Sequence, residues 1–175
     1  MKRFLSVFLA IVFMVSFVGC DDIGSEYDSE YDVKDYLAPD KTFEFEGLKI
    51  TLTEAFRVDE QSDESVWYES YGETSVAIDV FDFIGTDVSL DEFVSAIIKE
   101  YTHTGGFENI SEVKAEDDFL YFDYDCEMFG FEFKYMEAFY MSNGCLWTVY
   151  FMCDIEDYDT LHEYFIKWAK SVVIP

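Results

Sequence analysis

Basic residues are scarce in this chain. Lysine and arginine together number 11 against 38 aspartates and glutamates, so the formal net charge is −27. Arg57 is the only arginine after Arg3. Nucleic-acid binding needs a basic face that releases counterions, and phosphate recognition usually needs arginine or a glycine-rich loop. The composition therefore argues against nucleic acid and other polyanions, and it favours a cationic over an anionic partner.

Residue types and motifs that are typical of enzyme active sites are also few. His103 and His162 are the only histidines, and we expect both at the surface. The sequence has no Gly-x-Ser-x-Gly elbow, no zinc-ligand spacing and no P-loop. We therefore expect no enzymatic activity and no cofactor.

The four cysteines are too few for a disulfide framework if Cys20 is modified. Cys126, Cys145 and Cys153 then remain, and we expect buried free thiols that pack as small hydrophobic residues. A bridge between Cys126 and Cys153 stays open as an alternative, but it requires a register shift.

A single apolar run opens the chain. It covers residues 4–18 and follows Lys2 and Arg3. A membrane-spanning helix needs about 20 apolar residues. This shorter run ends in small residues, which is typical of a signal peptide.

The end of that run, FVGC at residues 17–20, resembles the lipobox of bacterial lipoproteins. The resemblance implies that residues 1–19 are removed as a signal peptide and that Cys20 carries a diacylglycerol and a further acyl chain such as palmitate. Lipid chains of this kind hold a protein at a bilayer. We therefore expect a bacterial lipoprotein on the extracytoplasmic face of the cell membrane.

The next segment, residues 20–41, is acidic and poor in core-forming residues. Positions 21–40 hold eight acids against the single base Lys34. Such a stretch cannot bury enough apolar surface to offset the entropy of ordering it. We interpret it as a flexible tether.

Residues 42–175 have the pattern of one α+β domain. Ser89 and Glu92 form a capping-box sequence before an apolar stripe that stops at Gly105, which predicts a helix. Antiparallel strands follow, with turns at Gly130 and at Asn143-Gly144, and residues 155–172 predict a last helix. Strands that are apolar on both sides require cover on both faces of the sheet.

This order of elements resembles the PsbP/Mog1-like fold. The resemblance rests on FEGLKITL (45–52), LDEFVSAIIKEY (90–101), CLWTVYFMC (145–153) and YFIKWAKSVVI (164–174). It implies an antiparallel sheet flanked by helices on both faces, in a layered sandwich, and a binding or assembly role without catalysis.

Two groups of residues are weak site candidates. An acidic cluster before the last helix could bind Ca²⁺, although it lacks the glycine of an EF-hand loop. Aromatic residues of an early strand could form a platform that binds sugar or peptide, and the alternative is that they pack in the core. Asp123 and Asp125 are expected on the exposed side of a strand. The acidic candidates are Asp154, Glu156, Asp157 and Asp159, and the aromatic candidates are Trp67, Tyr68 and Tyr71.

These observations favour a membrane-anchored, non-enzymatic binding or assembly module whose partner is an unknown protein or small ligand. One alternative is an immunity-type lipoprotein that neutralises a basic toxin, because negative charge speeds association with a cationic partner. A second alternative is a surface protein that binds Ca²⁺ or sugar.

Overall fold

Glycine-containing two-residue turns connect successive strands in this chain. A computed structural model describes residues 38–70, 74–82 and 88–175. In these residues it has ten strands and two helices. They are β1 (Asp40–Phe45), β2 (Leu48–Thr53), β3 (Arg57–Gln61), β4 (Ser65–Glu69), β5 (Ser75–Asp82), α1 (Leu90–Thr104), β6 (Phe107–Glu108), β7 (Lys114–Ala115), β8 (Leu120–Met128), β9 (Phe131–Ser142), β10 (Cys145–Asp154) and α2 (Tyr158–Lys170).

Three of the turns have the same backbone conformation. Both central residues have positive φ in Glu46-Gly47 (48° and 88°), Phe129-Gly130 (56° and 86°) and Asn143-Gly144 (53° and 79°). Two positive φ values define the type I′ turn, whose twist matches that of antiparallel strands. The turns predicted at Gly130 and at Asn143-Gly144 are therefore confirmed.

The strands form one large antiparallel sheet and one hairpin. The large sheet has the order β3-β4-β5-β10-β9-β8-β6, with β7 also paired to β8, and the hairpin is β1-β2. The stretch 107–115 makes only the two short strands β6 and β7. Asn109 has a positive φ of 50°, which interrupts the strand, although Ser111 stays hydrogen-bonded to Asp123 of β8.

Helix α1 covers one face of the large sheet. Its capping box is formed as predicted, since Ser89 accepts from the Glu92 amide and the Glu92 carboxylate accepts from the Ser89 amide. Gly105, at φ 76°, follows its last residue. The rings of Tyr101 on the helix and Tyr124 on β8 meet edge to face at 5.3 Å between centroids.

Helix α2 and the β1-β2 hairpin cover the opposite face. Phe151 of β10 stacks on Phe165 of α2 with ring centroids 5.4 Å apart. The Tyr140 hydroxyl donates a 2.9 Å hydrogen bond to the Ala169 carbonyl. The predicted architecture, an antiparallel sheet with helices on both faces, is thereby confirmed.

The predicted signal peptide, Cys20 and most of the predicted tether lie outside the described residues. Within the part of the chain that the structure describes, no helix is both long and apolar enough to cross a membrane.

Candidate functional site

The tip of the β8-β9 hairpin extends beyond its neighbours in the sheet. The outermost pairing of β6 with β8 is at Cys126, and that of β10 with β9 is at Phe133. Past these points β8 and β9 pair only with each other, through Glu127 with Glu132 and Met128 with Phe131. Residues 127–132, which we call the β8-β9 tip, are therefore a two-stranded projection from the domain.

Two large apolar side chains of the β8-β9 tip are exposed to solvent. Phe129 is 71% exposed and Phe131 is 65% exposed, more than any other large hydrophobic residue among those described. The Phe131 ring lies 6.5 Å from that of the half-buried Phe133. Adjacent exposed aromatic rings indicate an interaction surface more strongly than a single exposed residue does.

Phe129 also occupies an unfavourable backbone conformation. Its φ of 56° lies in the left-handed region, where a bulky side chain is an outlier. The same position in the β9-β10 turn holds Asn143, a residue type that tolerates this region well. The sequence therefore retains a phenylalanine where both exposure and backbone strain disfavour it, and outliers of this kind cluster at functional sites.

Acidic side chains occupy the face of the tip opposite to Phe131. Glu127 and Glu132 are exposed and lie directly opposite each other, an arrangement that destabilises a strand pair. The Ile155 amide donates to the Glu132 carbonyl, which brings the acidic turn after β10 beside the tip. Lys134, the neighbouring base on β9, is already bound to Asp125 at 3.0 Å.

A second polar cluster lies further along β8, around Asp123, on the face of the sheet that α2 covers. Its carboxylate accepts hydrogen bonds from the Tyr158 hydroxyl, from Lys114 Nζ at 2.6 Å and from the Ser111 hydroxyl at 3.4 Å. His162 Nε2 is 3.8 Å from the same carboxylate. The prediction that Asp123 is exposed was wrong, because the segment 107–115 and helix α2 enclose it.

The Asp123 cluster holds the edge of the sheet together. Ser111 takes the place of a strand residue beside β8: its amide donates to the Asp123 carbonyl at 2.8 Å, and its hydroxyl accepts from the Asp123 amide at 2.9 Å. Hydrogen bonding to Asp123 raises the pKa of Lys114, which keeps the ammonium charged. With its oxygens engaged by partners, Asp123 acts as a structural group.

A third cluster is buried between α1 and the sheet. Glu137 is fully buried and accepts a 3.1 Å hydrogen bond from the Tyr101 hydroxyl. Burial and, to a smaller extent, the nearby carboxyl of Asp79 raise the pKa of Glu137 to about 8, although the hydrogen bond from Tyr101 acts in the opposite direction. Burial likewise raises the pKa of Asp79 to about 7. The Tyr150 hydroxyl hydrogen-bonds with both carboxyls.

The aromatic platform suggested by the sequence is not assembled on one surface. Trp67 and Tyr68 are consecutive strand residues and point to opposite faces of the sheet. Tyr68 is buried and packs edge to face on Phe43, with 5.0 Å between ring centroids. Tyr71 lies outside the described residues. Tyr68 therefore packs in the core, which was the alternative to a ligand platform.

The candidate Ca²⁺ ligands lie in and after the turn that leads into α2. Asp154 is half-buried, and Glu156, Asp157 and Asp159 are exposed. Across residues 38–70, 74–82 and 88–175, no three histidine, cysteine, aspartate or glutamate side chains are grouped so as to hold a metal ion.

The three cysteines in the described residues are free thiols. Cys153 is buried as predicted, whereas Cys126 and Cys145 are only partly buried. Cys126 pairs with Phe133 and Cys153 pairs with Lys134, so the two thiols point to opposite faces of the sheet. The alternative of a Cys126–Cys153 bridge is therefore wrong in this register.

The β8-β9 tip is a surface that the sequence patterns above did not predict. The available signal was Phe129 before Gly130, where a two-residue turn prefers asparagine or aspartate. Glu127 and Glu132 flank this pair at positions that a hairpin places opposite each other.

The fold and these clusters can be compared with known proteins. No family profile and no curated protein matches this sequence. Solved structures show that the chain has a PsbP/Mog1-like fold. The cyanobacterial PsbP protein CyanoP of Synechocystis sp. PCC 6803 is similar with a TM-score of 0.57 and 13% identity, over 91% of this chain and 99% of that one.

Two further structures show the same fold. The Saccharomyces cerevisiae Ran-binding protein Mog1p has a TM-score of 0.55 and 8% identity, over 78% of this chain and 96% of its own. PA94 of Pseudomonas aeruginosa, a protein of unknown function, has a TM-score of 0.55 and 12% identity, with the same coverage of 78% and 96%. At these identities the likeness concerns the fold alone.

Proposed function

We propose that this chain is a lipid-anchored bacterial protein that acts outside the cytoplasm as a non-enzymatic binding or assembly module. The observation that carries the binding role is the β8-β9 tip. There Phe129 and Phe131 are exposed, and Phe129 is held in a backbone conformation that disfavours it. A partner that covers the two rings would remove the free-energy cost of exposing them to water.

The proposed anchor is Cys20. Residues 17–20 read FVGC after an apolar run of signal-peptide length, which supports acylation of this cysteine. The acidic residues that follow would repel an anionic membrane surface and hold the domain away from it. The β8-β9 tip would then meet partners in the space beside the membrane.

The fold supports a binding role by analogy. One protein of this fold, Mog1p, is described as a Ran-binding protein. A shared fold does not fix function, so the analogy adds to the tip geometry and does not replace it.

The chemistry of the described side chains supports a role without catalysis. Burial raises the pKa of Cys153 to about 12 and also raises the pKa of Cys126. A hydrogen bond to Asp82 raises the pKa of Cys145. Because the thiolate is the nucleophilic form, these thiols are poor nucleophiles at neutral pH.

A second candidate function is that of an immunity-type lipoprotein that neutralises a basic toxin. The net charge of −27 favours it, since electrostatic attraction accelerates the encounter with a cationic protein. Tight capture of a basic protein that collapses when salt is added would favour this candidate over a general assembly role.

Two measurements test the main proposal. Mass spectrometry of the chain purified from bacterial membranes should give residues 20–175 carrying a diacylglycerol and an acyl chain on Cys20; an unacylated chain would contradict the anchor.

A photo-crosslinking amino acid at position 129 should yield a defined protein adduct in intact cells, and the same amino acid at the exposed Val58 should not. Equal crosslinking at both positions would contradict the binding role of the tip.

A further inference from the structure

We infer that the β8-β9 tip binds a cationic segment of a partner protein, whose lysine or arginine side chains lie against its phenylalanine rings and between its glutamates. This inference rests on the proposed binding function and specifies the surface and the chemistry of the partner.

The side chains of the tip match those of a cation-binding surface. The faces of Phe129 and Phe131 are accessible, and an ammonium or guanidinium group within about 6 Å of such a ring is attracted by its quadrupole. Glu127 and Glu132 lie opposite each other on the other face of the hairpin from Phe131. A cation placed between these two carboxylates would relieve their mutual repulsion. A second basic side chain of the same segment would cover a ring with its apolar stem.

The charged residues around the tip favour a partner that is positively charged. Asp154 pairs with Phe133 at the end of β10, and the exposed Glu156 follows in the next turn. Lys134 is held by Asp125 and is therefore not available to an anion. An anionic membrane surface would be repelled by the same acids, so the aromatic rings here fit a basic protein segment and not a lipid headgroup layer.

The experiment uses the full chain in detergent and two synthetic peptides, one of alternating lysine and leucine and one of alternating glutamate and leucine. Calorimetric titration should show that the lysine peptide binds and that the glutamate peptide does not. The double variant Phe129→Asn with Phe131→Ser should weaken binding of the lysine peptide by at least about tenfold, as expected for loss of an aromatic anchor.

Matched variants separate the tip from diffuse attraction to an acidic protein. Glu127→Gln with Glu132→Gln removes two charges at the tip, whereas Glu60→Gln with Asp63→Asn removes two exposed charges near β3 at the opposite edge of the sheet. Val58→Asn replaces another exposed apolar residue, on β3. The β3-edge variants should stay within about twofold of the wild-type affinity, while the tip variants lose affinity.

Three results would overturn the inference: equal losses for the two pairs of charge variants, unchanged affinity in the double phenylalanine variant, or binding of the tip to phosphatidylglycerol vesicles instead of the lysine peptide. Each of these would leave acylation of Cys20 intact, so a failure of the tip is distinguishable from a failure of the anchor. Urea unfolding of each variant shows whether a loss of affinity comes from a loss of folding.

Discussion

The hydroxyl of Tyr101 on helix α1 donates a 3.1 Å hydrogen bond to the buried carboxyl of Glu137 in strand β9. This contact links the helix to the sheet through an acid that has no access to water. Asp79, on β5, lies on the same face of the sheet, and Tyr150 on β10 hydrogen-bonds with both acids. The core on this side thus depends on protonated carboxyl groups at neutral pH.

The two buried acids make stability depend on pH. The pKa of Glu137 is raised to about 8 and that of Asp79 to about 7, so the folded state holds both protons more tightly than the unfolded chain. Their contribution to the free energy of unfolding is complete below about pH 4, declines as pH rises, and is lost once pH passes the folded pKa values. We predict that urea unfolding gives a free energy on the order of 2–4 kcal/mol lower at pH 9 than at pH 6.

The control for this prediction is Glu137→Gln, which keeps the shape and a polar group but cannot ionise. We expect it to remove about half or more of the decline between pH 6 and pH 9. A decline as steep as that of the wild type would show that other groups cause it.

Removing the Tyr101 hydroxyl should weaken the link between helix and sheet. We predict that Tyr101→Phe lowers the free energy of unfolding at pH 6 by about 1–2 kcal/mol, because the Glu137 carboxyl loses a donor that water cannot replace. The same substitution in a Glu137→Leu background completes a double-mutant cycle, because leucine cannot accept the hydrogen bond. Additive effects in that cycle would contradict a direct interaction between the two residues.

Asp123 should be essential to the edge of the sheet. Asp123→Ala removes the acceptor shared by Tyr158, Lys114 and Ser111, and we predict a loss of about 2–4 kcal/mol in urea unfolding. Lys114→Met should cost much less, about 1 kcal/mol or below, since the lysine side chain is 44% exposed. Equal losses in the two variants would contradict the buried role of Asp123.

The strained turn at Phe129 predicts an unusual stabilising substitution. Phe129→Asn should raise the free energy of unfolding by about 1 kcal/mol, because asparagine tolerates the left-handed conformation and exposes no apolar ring. The reverse change in the matching turn, Asn143→Phe, should lower it, in part because the Asn143 amide also donates to the Pro175 carbonyl at 3.0 Å. Destabilisation by Phe129→Asn would mean that the ring packs in the folded domain.

Local sequence signals predicted most of the fold. The Ser89–Glu92 capping box, Gly105 and the turn at Asn143-Gly144 act through neighbouring backbone groups, so a short stretch of sequence contains all the partners involved. Strands with apolar residues on both faces also predicted that both faces of the sheet are covered by other elements. The segment 107–115 was harder to predict, because Ser111 replaces a strand residue by bonding to Asp123, which lies 12 positions later.

The clusters depend on pairings that a single stretch of sequence does not reveal. Glu137 is buried only because α1 crosses β9, and Tyr101 lies 36 positions away from it. Asp123 was expected to be exposed because neighbouring strand residues are apolar, yet its partners come from the segment 107–115 and from α2. By contrast, Phe129 could have been recognised, since its position in a two-residue turn was already indicated by Gly130.

The anchor is tested most directly by fractionating cells that produce the Cys20→Ser variant. The account predicts that the wild-type chain sediments with membranes and resists extraction by high salt, whereas the variant, which lacks the acylation site, is recovered in the soluble fraction. A Cys20→Ser chain that stays with the membranes as firmly as the wild type would contradict lipid anchoring.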